Sequence, residues 1–139
     1  MKVAVVYAST TGNTEAMANA VCEGLQSDGV DLVFSKADST DVSALSSCDV
    51  ILLGSPAMGD EVLEDSMEEF YAKAESSLGG KKVGLFGSYD WGDGQWLRDW
   101  ADRVSAAGAS LCGESLMVNL APDEEGLAKC REWAKACIQ

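Results

Sequence analysis

The residues best suited to bind an anion lie near the start of the chain, where residues 9–14 read Ser-Thr-Thr-Gly-Asn-Thr. They follow the short apolar run at residues 3–7 and precede helix-forming sequence, an order that predicts a strand, a tight loop and a helix N-terminus. The first N–H groups of a helix have no partner within it and carry partial positive charge. A hydroxyl-rich loop at that point can therefore hold a phosphate. The same residues also fit an ordinary helix cap, with Asn13 or Thr14 starting the helix and nothing bound.

Two further loops carry side chains suited to a flat aromatic ligand. The loop at residues 54–62 contains Met58, and the loop at residues 87–94 contains Trp91; each of the two side chains stands next to a glycine. A polarisable thioether and an indole that face each other across a cleft make walls for an aromatic ring. Taken singly, each residue is more often a core filler. Their position in loops expected at one sheet edge favours the binding interpretation.

None of the ten Lys and Arg residues falls in these three loops. A P-loop nucleoside triphosphatase needs Gly-Lys-Ser/Thr in its phosphate loop, and a tyrosine phosphatase needs a cysteine with an arginine. Neither pattern is present, and no acidic pair closes the first strand as it does in a receiver domain. A phosphate bound here would be held by hydrogen bonds and helix dipoles alone.

The elements that must position these loops alternate between strand and helix five times along the chain. Apolar runs predict strands at residues 3–7, 30–34, 49–54, 82–88 and 109–118, the last kinked at Gly113. Helical periodicity predicts helices at residues 15–26, 64–78, 95–107 and 122–138, with Pro122 near the first turn of the last helix and a single helical turn around residues 42–45. This alternation predicts a doubly wound α/β fold, a five-stranded parallel sheet with helices on both faces. In such sheets ligands bind beyond the carboxyl ends of the strands, which is where the three loops lie.

Composition excludes several classes of function. The chain has 139 residues, a net charge of -13 and no histidine. Its acidity disfavours nucleic acid and anionic lipid and favours basic protein surfaces. Without histidine it can form neither a Ser-His-Asp triad nor a histidine-ligated metal site. The length predicts one domain spanning residues 1–139. With no apolar run of about 18 residues and no signal-peptide pattern after Met1, we expect a cytoplasmic protein.

The five cysteines do not form a recognisable metal or redox motif. They are Cys22, Cys48, Cys112, Cys130 and Cys137, and no two of them are spaced as Cys-x-x-Cys. We expect free and mostly buried thiols.

Three segments together resemble the flavin-mononucleotide loops of flavodoxins, most closely those of the short-chain, clostridial type. The segments are Ser-Thr-Thr-Gly-Asn-Thr at residues 9–14, Pro-Ala-Met-Gly-Asp-Glu at residues 56–61, and Gly-Ser-Tyr-Asp-Trp-Gly-Asp-Gly at residues 87–94. Three separated motifs in the right order are far more specific than any one of them, and the resemblance extends over essentially the whole chain. It implies the strand order 2-1-3-4-5, which flavodoxins themselves exemplify.

The resemblance also assigns the cofactor and the residues around it. It implies that FMN is bound through its 5′-phosphate by Ser9, Thr10, Thr11, Gly12, Asn13 and Thr14, and that its ribityl chain or phosphate is contacted by Ser55, Pro56 and Ser88. It implies that Met58 and Trp91 cover the two faces of the isoalloxazine ring and that Glu61 accepts a hydrogen bond from the ring N3–H. The backbone N–H groups of Asp90, Trp91 and Gly92 are expected to face N1 and O2, and the neighbours Ala57, Gly59, Asp60 and Tyr89 complete the site.

The activity implied is that of a low-potential one-electron carrier that uses the quinone, semiquinone and hydroquinone states of flavin and performs no enzymatic reaction of its own. The semiquinone is expected to be stabilised by a peptide flip at Gly59, since glycine tolerates dihedral angles forbidden to other residues. Eight carboxylates near the ring disfavour a second electron: Asp60, Glu61, Glu64, Asp65, Glu68, Glu69, Asp90 and Asp93. At 10 Å in water each pair of like charges repels by about 0.4 kcal/mol. The expected partners are low-potential, ferredoxin-type redox enzymes with basic docking surfaces, and the expected state is a monomer.

This chain departs from the clostridial pattern at three positions and leaves a second function open. It has Asp90 and Thr10 where those relatives carry glycine, and Ala8 where they carry tryptophan. The alternative is an FMN-dependent quinone or NAD(P)H reductase of the same fold. Such enzymes generally carry additional loop sequence for a substrate pocket, for which this chain has no spare length. A non-redox acidic interaction module is the third alternative.

Overall fold

The strands form one parallel sheet with the predicted order. The structure, a computed structural model, describes residues 1–26, 29–59 and 61–139. Its six strands are β1 (Lys2–Tyr7), β2 (Asp31–Lys36), β3 (Val50–Gly54), β4 (Lys82–Tyr89), β5 (Ser110–Leu111) and β6 (Leu116–Asn119). The order is β2-β1-β3-β4-β5, and β6 also pairs with β4. The predicted fold class and the order 2-1-3-4-5 are therefore confirmed, with one strand more than expected.

The additional strand arises because the predicted fifth strand is split. Gly113 has φ of +77°, a left-handed conformation that interrupts an extended chain. β5 pairs with the beginning of β4, where Lys82 faces Ser110, whereas β6 pairs with its end, where Tyr89 faces Asn119. The split therefore carries the chain to the carboxyl end of β4, beside the loop that contains Trp91.

Four helices cover the two faces of the sheet. They are α1 (Asn13–Gly24), α2 (Asp65–Ala74), α3 (Gln95–Ala106) and α4 (Glu124–Cys137). Short 3₁₀ helices occupy Ala37–Ser39, Val42–Ser47 and Glu75–Ser77, so the helix predicted at residues 64–78 ends in a tighter turn. The last helix begins two residues later than predicted, at Glu124, because the side chain of Asp123 caps α4 by accepting from Gly126 N at 2.8 Å, and Pro122 directly precedes that cap.

The core lies in two layers, one on each side of the sheet. Val3 and Val5 of β1 pack with α1 and α4, whereas Ala4 and Val6 pack with α2 and α3. This alternation explains the continuous apolar run, because both faces of a central parallel strand are buried. The packing of α1 against α4 is close enough that a Cβ on Gly24 would lie 2.3 Å from the carbonyl oxygen of Arg131.

The cysteines lie in the core, and the helices are short. All five cysteines are buried and free, as expected. Within the described residues, none of the helices has the length and the apolar character needed to cross a bilayer.

Candidate cofactor-binding site

The three loops predicted to act together meet in one cleft at the carboxyl ends of β1, β3 and β4. The cleft has a volume of about 320 Å³. It is lined by Thr10, Thr11, Asn13, Pro56, Ala57, Met58, Gly59, Ser88, Tyr89, Asp90, Trp91 and Leu120. Eleven of these twelve lining residues belong to the predicted set, and Leu120 does not. Of the other predicted residues, Thr14 and Ser55 are buried, Ser9, Gly12, Glu61 and Gly92 are not among the lining residues, and Asp60 falls outside the described residues.

Ser9 shapes the first loop from within. Its hydroxyl oxygen accepts hydrogen bonds from the backbone N–H groups of Gly12 at 3.1 Å and Glu15 at 3.3 Å. This folds the loop back onto the start of α1, and the exposed residues Thr10 and Thr11 are left at the cleft. The first turn of a helix has no internal carbonyl partners for its N–H groups, so the cleft receives donors and partial positive charge at this end. That is the chemistry of an anion site.

A buried pair of hydroxyl groups ties the first loop to the third. The oxygens of Thr14 and Ser88 are 2.7 Å apart, and the two residues are 1% and 4% exposed. The backbone N–H of Ser88 also points at the Thr14 oxygen, at 3.4 Å. If Thr14 accepts from that N–H and donates to Ser88, the Ser88 hydroxyl hydrogen is free for an oxygen in the cleft. Thr14 then supports the site through Ser88 rather than lining it.

Ser55 organises the second loop in the same way. It is fully buried, its hydroxyl donates to the Pro56 carbonyl at 3.0 Å, and it accepts from Glu64 N at 3.0 Å. The indole N–H of Trp96 donates to the Ser55 carbonyl at 3.1 Å. Ala57 N donates to the Ser88 carbonyl at 3.0 Å, which joins this loop to the third. Ser55 therefore holds the wall in place and does not face the cleft.

Met58 and Trp91 both line the cleft, and they differ in burial. Met58 is half-buried, whereas 60% of Trp91 is exposed. A large indole that is this exposed does not fill the core, so the core interpretation is wrong for Trp91. The loop behind it is anchored by the Asn119 side chain, which donates to the carbonyls of Tyr89 and Asp90 at 3.2 Å each.

Glu61 lies beside the third loop with an unpaired oxygen. It has φ of +53°, which is rare for a residue with a side chain, and its N–H donates to the Met58 carbonyl at 2.8 Å. Gly92 has φ of +91°, which favours glycine, and a Cβ there would lie 2.3 Å from Glu61 Oε1, so the Glu61 carboxylate would have to move. Glu61 Oε1 is buried and accepts from no donor within the described residues. A buried acceptor without a donor is costly, so this atom fits a ligand that brings an N–H.

Several of the carboxylates that the sequence places near the cleft are paired with cations, so less of their negative charge is uncompensated than the sequence implied. Within the described residues, Arg103 pairs with Glu68 at 2.7 Å, Arg98 with Asp93 at 2.9 Å, and Lys73 with Glu69 at 3.5 Å. The Glu64 carboxylate caps α2 by accepting from Ser66 N at 2.9 Å. The acidic side chains that form no such ion pair in this part of the chain include Glu61, Asp65 and Asp90. No Lys or Arg is among the twelve residues that line the cleft.

The residue that sequence reasoning missed is Leu120, together with its supporting neighbour Asn119. No local pattern marks either one, because the split of the fifth strand brings Leu120 to the cleft and Asn119 to the backbone of the third loop. The only sequence signal was Gly113, which predicted a kink without predicting its consequence.

Comparison with known proteins agrees with this geometry. The family model described as Flavodoxin matches residues 5–133. A flavodoxin from Megasphaera elsdenii is 46% identical over 99% of this chain and 98% of its own, and one from Clostridium beijerinckii is 42% identical over 86% and 88%. The solution structure of two-electron reduced M. elsdenii flavodoxin superposes with a TM-score of 0.87 over 97% of each chain.

The strand order and the cleft at its switch point define a mononucleotide-binding protein of the doubly wound α/β class. The family match and the two relatives show that the chain belongs to the flavodoxin family. Flavodoxins bind FMN and carry electrons between redox proteins, and this chain is such an FMN-binding electron carrier rather than an enzyme. The reductase alternative is not favoured.

Proposed function

We propose that this protein is a low-potential carrier in which the three loops hold FMN at the residues predicted from the sequence. The observation that supports this most directly is the cleft itself, which has hydroxyls and a helix N-terminus at one end and a thioether and an exposed indole at the other. FMN, when bound, supplies the capacity to take up and release one or two electrons. The chain's own residues decide where the molecule sits and what charge surrounds it.

At the phosphate end we propose that the loop at residues 9–14 binds the 5′-phosphate, with Thr10, Thr11, Asn13 and Ser88 as the donors that line the cleft. Ser9 keeps the loop closed, Thr14 orients Ser88, and the first turn of α1 contributes its dipole. Because no cation lines the cleft, these donors stabilise the dianion without neutralising it. Ser55 and Pro56 support the ribityl segment from the second loop.

At the ring end we propose that Met58 and Trp91 stack on the two faces of the isoalloxazine. Glu61 accepts from the ring N3–H, which satisfies an oxygen that has no donor among the described residues. The backbone N–H groups of Asp90, Trp91 and Gly92 face the pyrimidine edge, and Ala57, Gly59, Asp60 and Tyr89 complete the enclosure. Polar pairing at that edge together with apolar stacking on the faces fixes the ring in one orientation.

The low potential is proposed to come from the charges that have no counter-ion. Glu61 and Asp90 lie next to the ring, and the phosphate is uncompensated. Negative charge added to the cofactor is repelled by each of them, by an amount that grows as the local dielectric constant falls. Glu68, Glu69 and Asp93 contribute less than the sequence implied, because each is paired with a cation.

Electron carriers act on redox partners, and we propose partners with basic docking surfaces. The net charge of -13 would steer such partners and make association sensitive to salt. We further propose that residues 1–139 form a single domain, that the protein is a monomer, and that it works in the cytoplasm.

The test is reconstitution of the flavin-free protein. We expect stoichiometric uptake of FMN with quenching of its fluorescence, and weaker uptake of riboflavin, which lacks the phosphate. Stepwise reduction should give two midpoint potentials, the second strongly negative. Protein that takes up neither flavin would contradict the proposal, and steady-state oxidation of NAD(P)H by the purified protein alone would favour the reductase.

A further inference from the structure

We infer that Leu120 is an additional wall of the cofactor cleft, placed at its ring end, where its side chain packs against the flavin ring. This inference rests on the proposed function, since it assigns a residue to the same cleft. Leu120 was not among the residues predicted from the sequence. It lines the cleft together with Tyr89, Asp90 and Trp91.

Backbone and side-chain hydrogen bonds fix Leu120 at that end of the cleft. Its N–H donates to the Tyr89 carbonyl at 2.7 Å, and β6, which ends at the preceding residue, pairs Asn119 with Tyr89. The Asn119 side chain holds the next carbonyl, that of Asp90. Leu120 is therefore attached to the loop that carries Trp91, whereas Thr10 and Thr11 belong to the opposite, phosphate-binding end.

The backbone of Leu120 is in a conformation that leucine rarely adopts. Its φ is +58°, and in residues 1–26, 29–59 and 61–139 the only other non-glycine residue with positive φ is Glu61. For a residue with a Cβ the left-handed region is strained, because the Cβ lies too close to the following carbonyl oxygen. Asparagine or glycine would adopt it with less strain. Backbone strain of this kind concentrates at ligand sites, and both examples here adjoin the same cleft.

The side chain of Leu120 gains little from the protein alone. It is 49% exposed, so in the free protein it is a half-solvated apolar group at the edge of the cleft. An aromatic ring in the cleft would cover part of that surface and remove it from water. Covering roughly 40 Å² of apolar surface corresponds to about a fivefold gain in affinity. The backbone conformation at position 120 does not favour leucine, and the side chain is not part of the core. Contact with a ligand in the cleft therefore explains why a leucine stands here.

The test uses the full chain with Leu120→Asn and Leu120→Gly, because both replacements suit the left-handed backbone. Met117→Asn is the matched control: Met117 is 43% exposed, lies in β6 three residues before Leu120, and is not among the cleft-lining residues. Dissociation constants for FMN and for riboflavin are measured by fluorescence quenching, and the melting temperature of each flavin-free variant is recorded. We expect both Leu120 variants to bind FMN and riboflavin about fivefold more weakly, by the same factor, with melting temperatures unchanged or raised.

The equal loss for the two flavins is the decisive result, because it assigns Leu120 to the ring and not to the phosphate. Unchanged affinity in both variants, a loss confined to FMN, or an equal loss in Met117→Asn would overturn the inference. A drop in melting temperature with unchanged affinity would also overturn it, since the role would then be structural. Failure of the wild-type protein to bind either flavin would instead refute the proposed function.

Discussion

Replacing Thr14 with valine tests whether the buried hydroxyl pair holds the first and third loops together. Valine has the shape of threonine, so the change leaves no cavity, and it suits the same helical position. It removes the partner of Ser88, whose hydroxyl oxygen lies 2.7 Å from that of Thr14 while only 4% of Ser88 is exposed. A buried hydroxyl that loses its partner costs about 1–3 kcal/mol of unfolding free energy. The longer contact from Ser88 N, at 3.4 Å, adds little.

The assay is urea denaturation of the flavin-free protein, followed by a double-mutant cycle with Ser88→Ala. We expect each single variant to lose about 1–3 kcal/mol, and the double variant to lose about 1 kcal/mol less than the sum of the two. Affinity for FMN should fall about fivefold in Thr14→Val, because Ser88 is no longer oriented toward the cleft. Thr40→Val is the control, since Thr40 and Ser35 form a similar hydroxyl pair on the far side of β1 from the third loop.

Two results would refute this reasoning. Strictly additive losses in the cycle would mean that the two hydroxyls do not interact. Equal losses of FMN affinity in Thr14→Val and in the Thr40→Val control would mean that the effect is general destabilisation and not a support of the site.

The remaining predictions concern the ring wall, the thiols and the second loop. Trp91→Ala should leave the stability of the flavin-free protein within about 0.5 kcal/mol, since 60% of Trp91 is exposed, and should weaken FMN binding at least tenfold; Trp96→Ala, buried and bonded to the backbone, should instead cost about 3–5 kcal/mol by urea denaturation. Burial raises the pKa of Cys22 to about 12 and that of Cys130 to about 11, above the ordinary value of 9.0, so the folded state holds these protons more tightly than the unfolded state. Stability is then fully present below pH 9 and falls as the pH rises toward 11, and a urea midpoint that stayed constant over this window would contradict the assignment. Gly59→Val should not change the stability of the flavin-free protein, because its Cβ would meet no atom within 4 Å, yet it should make the first one-electron midpoint more negative if the loop must change conformation during reduction; an unchanged midpoint in a redox titration would remove that role.

The sequence by itself determined the architecture and most of the cleft. Apolar runs long enough only for strands, separated by amphipathic helices, require a parallel sheet covered on both faces, and the burial of Val3 through Val6 on both sides follows from it. Such a sheet brings the loops after β1, β3 and β4 to one edge, regardless of the sequence and conformation of each loop. Loop chemistry was therefore predictable to the level of residue type, as the placement of Thr10, Met58 and Trp91 illustrates.

The tertiary structure alone decided which of these residues face the ligand and which support them. Thr14 and Ser55 look like ligand-binding hydroxyls in the sequence, but both are buried: the Thr14 hydroxyl bonds to Ser88 in the third loop, and the Ser55 hydroxyl bonds to Pro56 in its own loop and to Glu64 just after it. Leu120 reaches the cleft because β6 is displaced along β4. Asp93 adds less negative charge near the cleft than the sequence implied, because Arg98 pairs with it. These outcomes depend on contacts between distant segments, whose distances and burial no local pattern encodes, since a side chain's partner is set by the packing of the whole sheet.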